Sequence, residues 1–120
     1  MVTASTPADR IIYLPARRWT RTKIDVAIKI VRGKNRPISG RGGQISDGGM
    51  AISADIELKM GEKIGVEFIA KNGTPLRIHA LVCTREKYCY GLEFLSSNPR
   101  EEEEVAKFRS ALRNSALAHS

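Results

Sequence analysis

The stretch Ile24-Asp25-Val26-Ala27-Ile28-Lys29-Ile30-Val31 alternates strictly, with Ile24, Val26, Ile28 and Ile30 on one face and Asp25, Ala27 and Lys29 on the other. A side-chain period of two is that of a β-strand with one face in a core and the other in water. The segments that follow repeat the theme. Ile64, Val66, Phe68 and Ala70 alternate, as do Ile78, Ala80 and Val82, and Tyr88, Tyr90, Leu92 and Phe94. Short strands at near-regular spacing, parted by turns, predict a sandwich or a small closed barrel.

The turns are legible in the same way. Gly33 and Asn35 mark a loop over Arg32 to Arg36, the segment Leu58 to Glu62 reads as a turn, and Asn72-Gly73 is a strong hairpin signal. Between Ile38 and Ala54, Gly40, Gly42, Gly43, Gly48 and Gly49 interrupt a few apolar positions. Two strands, about 39–46 and 49–54, are expected there, joined at Asp47-Gly48 by a type I′ turn in which both central residues take positive φ. Five glycines would also let a ligand come close to the backbone. A further turn is expected at Arg85-Glu86-Lys87. The period then changes to 3.6: Asn98 suits an N-cap, Pro99 the first helical position, and Val105, Phe108 and Leu112 form a stripe, so one helix is expected over about 99–116. Glu101 to Glu104 complement the positive end of that helix and read as a solvated start, not a metal site.

Ahead of the first strand stands Arg17-Arg18-Trp19-Thr20-Arg21. Guanidinium is a planar fork of donors that grips phosphate bidentately and stacks on aromatic faces, so this cluster suits an anionic, planar ligand. Arginine clusters also occur in solvated arms, and Trp19 either stacks on a base or anchors the arm. Charge extends the pattern. Residues 1–43 hold ten Lys and Arg against Asp9 and Asp25, a net +8 that accounts for the whole chain's +7. Such a field attracts phosphate-bearing ligands, nucleic acids or acidic protein surfaces. Like charge is further expected to oppose collapse of the arm onto the basic loop 32–36.

At 120 residues the chain is long enough for one domain with a real core. It has no apolar run of membrane-spanning length and no secretory leader pattern, which predicts a cytoplasmic protein without a membrane span. Cys83 and Cys89 lie in neighbouring strand segments and read as small strand residues. His79 and His119 have no partners for catalysis, and Ser46 has no His or Lys in its motif to activate it. Neither a catalytic nor a metal site is predicted, and no cofactor.

Taken together, Arg17-x-x-x-Arg21, then Gln44-x-Ser46-x-x-Gly49, then Gly61 before Ile64-x-Val66-x-Phe68, then Tyr90-Gly91-Leu92-Glu93-Phe94 before a helix, resemble a PilZ domain. The resemblance covers about residues 17–112. It implies a mostly β fold, a six-stranded antiparallel barrel with a C-terminal helix. It also implies a bacterial receptor for the second messenger cyclic di-GMP, built on an RxxxR arm and a (D/N)xSxxG turn. The expected organisation is a lead over residues 1–16, the domain over 17–116 and a tail over 117–120. By the resemblance Arg17 and Arg21 contact guanine edges and phosphates, with Arg18 beside them. Ser46 donates to phosphate or base, and Gly48 and Gly49 leave room for the ligand.

One position departs from the family pattern. Gln44 stands where the family has Asp or Asn; its carbonyl still accepts, but the side chain is a methylene longer and uncharged. The expected function is therefore a cyclic di-GMP receptor that signals by ordering its arginine arm and the apolar residues Ile11 to Leu14, which a downstream protein partner reads. The alternative is a degenerate PilZ-like adaptor acting only by protein contacts. A third reading, a barrel for single-stranded nucleic acid, is disfavoured by the scarcity of aromatic platforms, so no DNA or RNA partner is expected. A monomer or weak dimer is expected.

Overall fold

The computed structural model describes residues 21–118. Six strands and one helix follow in order: β1 Thr22–Val31, β2 Ile38–Ile45, β3 Gly49–Ser53, β4 Lys63–Ile69, β5 Pro75–Glu86, β6 Cys89–Leu95 and α1 Pro99–Ala118. All neighbours pair antiparallel and the sheet closes in the order β1-β2-β3-β6-β5-β4. The predicted barrel with a C-terminal helix is the fold observed. Closure leaves no sheet edge running the length of the molecule.

The alternation of β1 is realised as read: Ile24, Val26, Ile28 and Ile30 are buried and the residues between them are exposed. They meet Ile45, Met50, Ile52, Ile64, Val66, Ile78, Val82 and Leu92 in one continuous core. Helix α1 closes the end of the barrel at which β1 begins. Its stripe of Val105, Phe108 and Leu112 is buried, and the fully buried Phe108 ring meets Phe68 and Phe94 edge to face at centroid distances of 6.4 and 6.0 Å. Asn98 caps the helix through Oδ1, which accepts from the Glu101 amide at 2.9 Å. Glu101 in turn accepts from the Ser97 amide at 2.7 Å, a capping box shifted one residue outward. Ser97, through its amide and its side chain, holds the Glu101 carboxyl below the usual range.

Several turns differ from expectation. Neither Asp47 nor Gly48 has positive φ, so the β2–β3 connection is not type I′; positive φ falls instead on Gly33, Gly61, Gly73 and Lys87. The β5–β6 turn is centred on Lys87 and Tyr88, two residues beyond Arg85, because β5 and β6 continue to the pair Glu86–Cys89. Tyr88 is consequently exposed and does not share the inward face of Tyr90 and Leu92. The basic loop 32–36 lies at the far end of β1 from Arg21. Ten residues of strand separate them by about 30 Å, several times the ~8 Å over which salt lets exposed charges interact. Repulsion from that loop therefore does not govern the start of β1.

Candidate functional site

The two halves of the motif pattern converge at the barrel end where β1 starts and β2 turns into β3. Thr22 pairs with Ile45 and Lys23 with Gln44. Arg21, exposed and one residue ahead of Thr22, thus stands at the register position beside Ser46. Gln44, Ser46, Gly48 and Gly49 share this hairpin. Arg17, Arg18 and Trp19, and the patch Ile11 to Leu14, lie outside the described residues.

A bulge aims Gln44. In β2, Gly40 and Gly42 face the core, and simple alternation would send Gln44 inward as well. The registers on both sides shift at Gly43: Gly42 opposes Ile52 while Gln44 opposes Ala51, and two residues of β1 stand against Gly43. The extra residue reverses the parity, so that Ile45 enters the core and Gln44 sits half-exposed outside. On the outer surface Gln44 is flanked by Lys23 on β1 and by the low row Ala51, Gly91, Thr84 across β3, β6 and β5. That row holds no side chain larger than threonine.

Three of these glycines are required by the packing of the barrel itself. A Cβ on Gly42 would lie 3.0 Å from Met50 and 3.2 Å from Val26, and one on Gly40 2.9 Å from the Ser53 carbonyl. A Cβ on Gly49 would overlap the Leu92 carbonyl oxygen. Gly43 alone of this set is exposed with nothing closer than the Ala51 carbonyl at 4.0 Å. The turn itself is closed by the Ser46 amide donating to the Gly49 carbonyl at 2.9 Å, with Ser46 Oγ on the same carbonyl at 3.3 Å. The second hydrogen bond is long, and the hydroxyl retains acceptor capacity.

The sequence did not reveal that the helix reaches this turn. Arg113 Nη2 donates to Asp47 Oδ1 at 2.7 Å, and Arg109 donates to the Asp47 carbonyl at 3.2 Å. The hydrogen bond from Arg113, against a small burial effect and with the charges of both arginines, holds the Asp47 carboxyl below the usual range. Asp47 is thereby turned toward the helix, and its charge is offset at the site. Lys23 was likewise missed: only the register shows it beside Gln44. Lys23 and Arg21 form no ion pair with another described residue, whereas Arg41 is paired with Asp25 and Arg32 with Glu62. The hairpin end therefore offers two cations without an ion-pair partner among the described residues, an outward amide and a hydroxyl.

Tyr90-Gly91-Leu92-Glu93-Phe94 has structural work throughout. Tyr90 Oη donates to the Ile56 carbonyl at 2.6 Å and accepts from the Leu58 amide at 3.1 Å, fixing the β3–β4 connection. Gly91 admits the Thr84 side chain, and Phe94 backs Phe108. His79 is exposed on β5, and Cys83, the residue at a bulge, directs Sγ to Glu93 at 3.8 Å. Burial and the Glu93 carboxylate raise the Cys83 thiol above its ordinary range. Among the described residues no three His, Cys, Asp or Glu converge on a metal position, and no helix is long and apolar enough to cross a membrane.

Residues 15–110 match the PilZ domain family. The chain belongs to that family. PilZ domains are binding and receptor domains, and the solved structures similar to this one carry the same barrel. The PilZ domain of CeSA from a cellulose-synthesizing bacterium aligns with a TM-score of 0.66 at 15% identity, over 78% of this chain and 98% of that one. The PilZ domain of YcgR from Escherichia coli, solved with c-di-GMP, aligns at 0.64 and 17% identity, over 86% of this chain and 95% of that one. YcgR from Escherichia coli in complex with c-di-GMP aligns at 0.61 and 19%, over 86% of this chain and 48% of the longer protein. No curated protein sequence matches the chain.

Proposed function

We propose that this PilZ domain is a cyclic di-GMP receptor whose ligand sits between the arginine arm and the Gln44 to Gly49 turn. The observation that carries the reading is the β1–β2 register, which sets Arg21 and Lys23 beside Ser46 and an outward Gln44. The ligand is a dianion with guanine edges. Arg17, Arg18 and Arg21 supply donors for phosphate and for guanine O6 and N7, to which the guanidinium fork is geometrically matched. Gln44 accepts from the guanine N1 and N2 donors through its carbonyl, Ser46 gives up its long hydrogen bond to the Gly49 carbonyl to donate to phosphate, and Gly48 and Gly49 keep the turn low beneath the ligand. No metal, cofactor or catalytic step is part of this function. Binding ties the arm to the hairpin, and a downstream protein reads the surface so formed.

Titration calorimetry with cyclic di-GMP tests it. Saturable heat is expected from the intact chain, with Arg21→Ala and Arg17→Ala each weakening affinity about ten- to a hundredfold, the equivalent of charge-assisted hydrogen bonds of ~1.5–3 kcal/mol. Gln44 in place of Asp or Asn favours a second reading, an adaptor that works by protein contacts without nucleotide. An intact chain that gives no heat at high micromolar ligand would select that reading.

A further inference from the structure

Between Gln44 and Gly49 the β2–β3 hairpin carries one carboxylate, Asp47, directly after Ser46. Adjacent Cα atoms lie about 3.8 Å apart, so on the cyclic di-GMP reading this carboxylate stands beside the residue that meets phosphate. Bare, it would repel a dianion. It is not bare: Arg113 Nη2 donates to Oδ1 at 2.7 Å, while Arg109 Nε stays 3.8 Å from the same oxygen, too far for a hydrogen bond. Arg109 instead holds the main chain, donating to the Asp47 carbonyl at 3.2 Å. The two arginines, one turn apart on α1, thus take different parts of one residue.

That division lets the carboxylate leave Arg113 without loosening the turn from the helix. The pair also opens easily. Its side chains are 56% exposed at Asp47 and 32% at Arg113, and pairs so accessible contribute little to stability because water serves both partners once they part. A phosphodiester presents a guanidinium fork with two acceptor oxygens and a single negative charge, as a carboxylate does. We propose that Arg113 is a phosphate-binding residue of this site, held in reserve by Asp47: the arriving phosphate takes the guanidinium from the carboxylate, and Asp47 is an internal competitor that sets the affinity. This rests on the cyclic di-GMP reading and adds to it a donor from the helix, 66 residues along the chain from the turn. Because Asp47 already keeps the guanidinium at the turn in the free protein, little side-chain freedom is left to lose when phosphate replaces it.

Calorimetry on four full-length proteins tests this: the wild type, Asp47→Asn, Arg113→Gln and the double variant, each titrated with cyclic di-GMP. Asp47→Asn should bind roughly fivefold more tightly, having lost both the competitor and its charge. Arg113→Gln should weaken binding about tenfold when added to Asp47→Asn, as loss of a charge-assisted hydrogen bond does, but only about threefold in the wild type, where the carboxylate competes. The reverse order, a loss in the wild type that disappears in the Asp47→Asn background, would show that Arg113 only screens the carboxylate and would overturn the proposal. Weaker binding by Asp47→Asn than by the wild type would overturn it too, by making the carboxylate a support of the bound turn. In both cases saturable binding by the wild type leaves the receptor reading standing, whereas no heat from any of the four proteins overturns both.

Discussion

Replacing Gly49 with alanine separates a barrel requirement from a ligand requirement. A Cβ there overlaps the Leu92 carbonyl oxygen and sits 3.3 Å from the Glu93 Cα, both backbone atoms of the paired strand. No rotamer change relieves such a contact. β3 must move off β6, loosening the pairs from Gly49–Glu93 to Ser53–Cys89 and the hydrogen bond from the Phe94 amide to the Gly48 carbonyl. Overpacking of this kind destabilises by about 1–3 kcal/mol, and one weakened hydrogen bond adds about 1. At roughly 4 °C or more per kcal/mol in a domain of this size, the melting temperature should fall by about 10 °C. Thermal unfolding without any ligand is the assay, and Gly43→Ala is the internal control: that Cβ meets nothing closer than the Ala51 carbonyl at 4.0 Å, so its change should stay within ~0.5 kcal/mol. If Gly49→Ala melts with Gly43→Ala, the packing argument is wrong and Gly49 is left to the ligand alone.

Other perturbations follow from single contacts. Burial raises the Glu62 carboxyl, but the Arg32 guanidinium at 2.6 and 3.1 Å and the Lys59 amide outweigh it, leaving the folded-state pKa below the ordinary 4.5. The stabilisation is therefore complete at neutral pH and is lost as pH falls from about 5 through the depressed value; Glu62→Gln should cost about 1 kcal/mol at pH 7 in denaturant titrations and progressively less as the pH is lowered. Tyr90→Phe strands the Ile56 carbonyl and the Leu58 amide and should destabilise by roughly 1–3 kcal/mol, again by denaturant titration. Gln44→Asp should tighten cyclic di-GMP in calorimetry, because a shorter carboxylate accepts with charge assistance; an unchanged or weaker constant would remove Gln44 from the guanine edge.

Residues with side chains of clear type made their structure legible. β1 announced itself because four β-carbon-branched residues alternate with polar ones and the core takes all four. The helix was visible from Asn98, Pro99 and the Val105, Phe108, Leu112 stripe. The hairpin that carries the candidate site was less so, since glycines have no side chain to show parity. The Gly43 bulge that turns Gln44 outward appears only when both neighbouring strands fix the register. Asp47-Gly48 resembled a type I′ dipeptide, yet Asp47 is held by Arg109 and Arg113 from more than sixty residues away, a tertiary restraint that local propensity does not contain. Lys23 and Arg21 came next to Gln44 and Ser46 for the same long-range reason.

Amide chemical-shift mapping during a cyclic di-GMP titration tests the central claim most directly. Saturable shifts should centre on Arg21 to Lys23 and on Gly43 to Gly49, at one end of the barrel, and leave the equally basic loop 32–36 at the other end unmoved. Shifts that track loop 32–36, or that grow linearly without saturation and vanish with added salt, would mark unspecific attraction by the basic third of the chain and contradict a site at the β2–β3 hairpin.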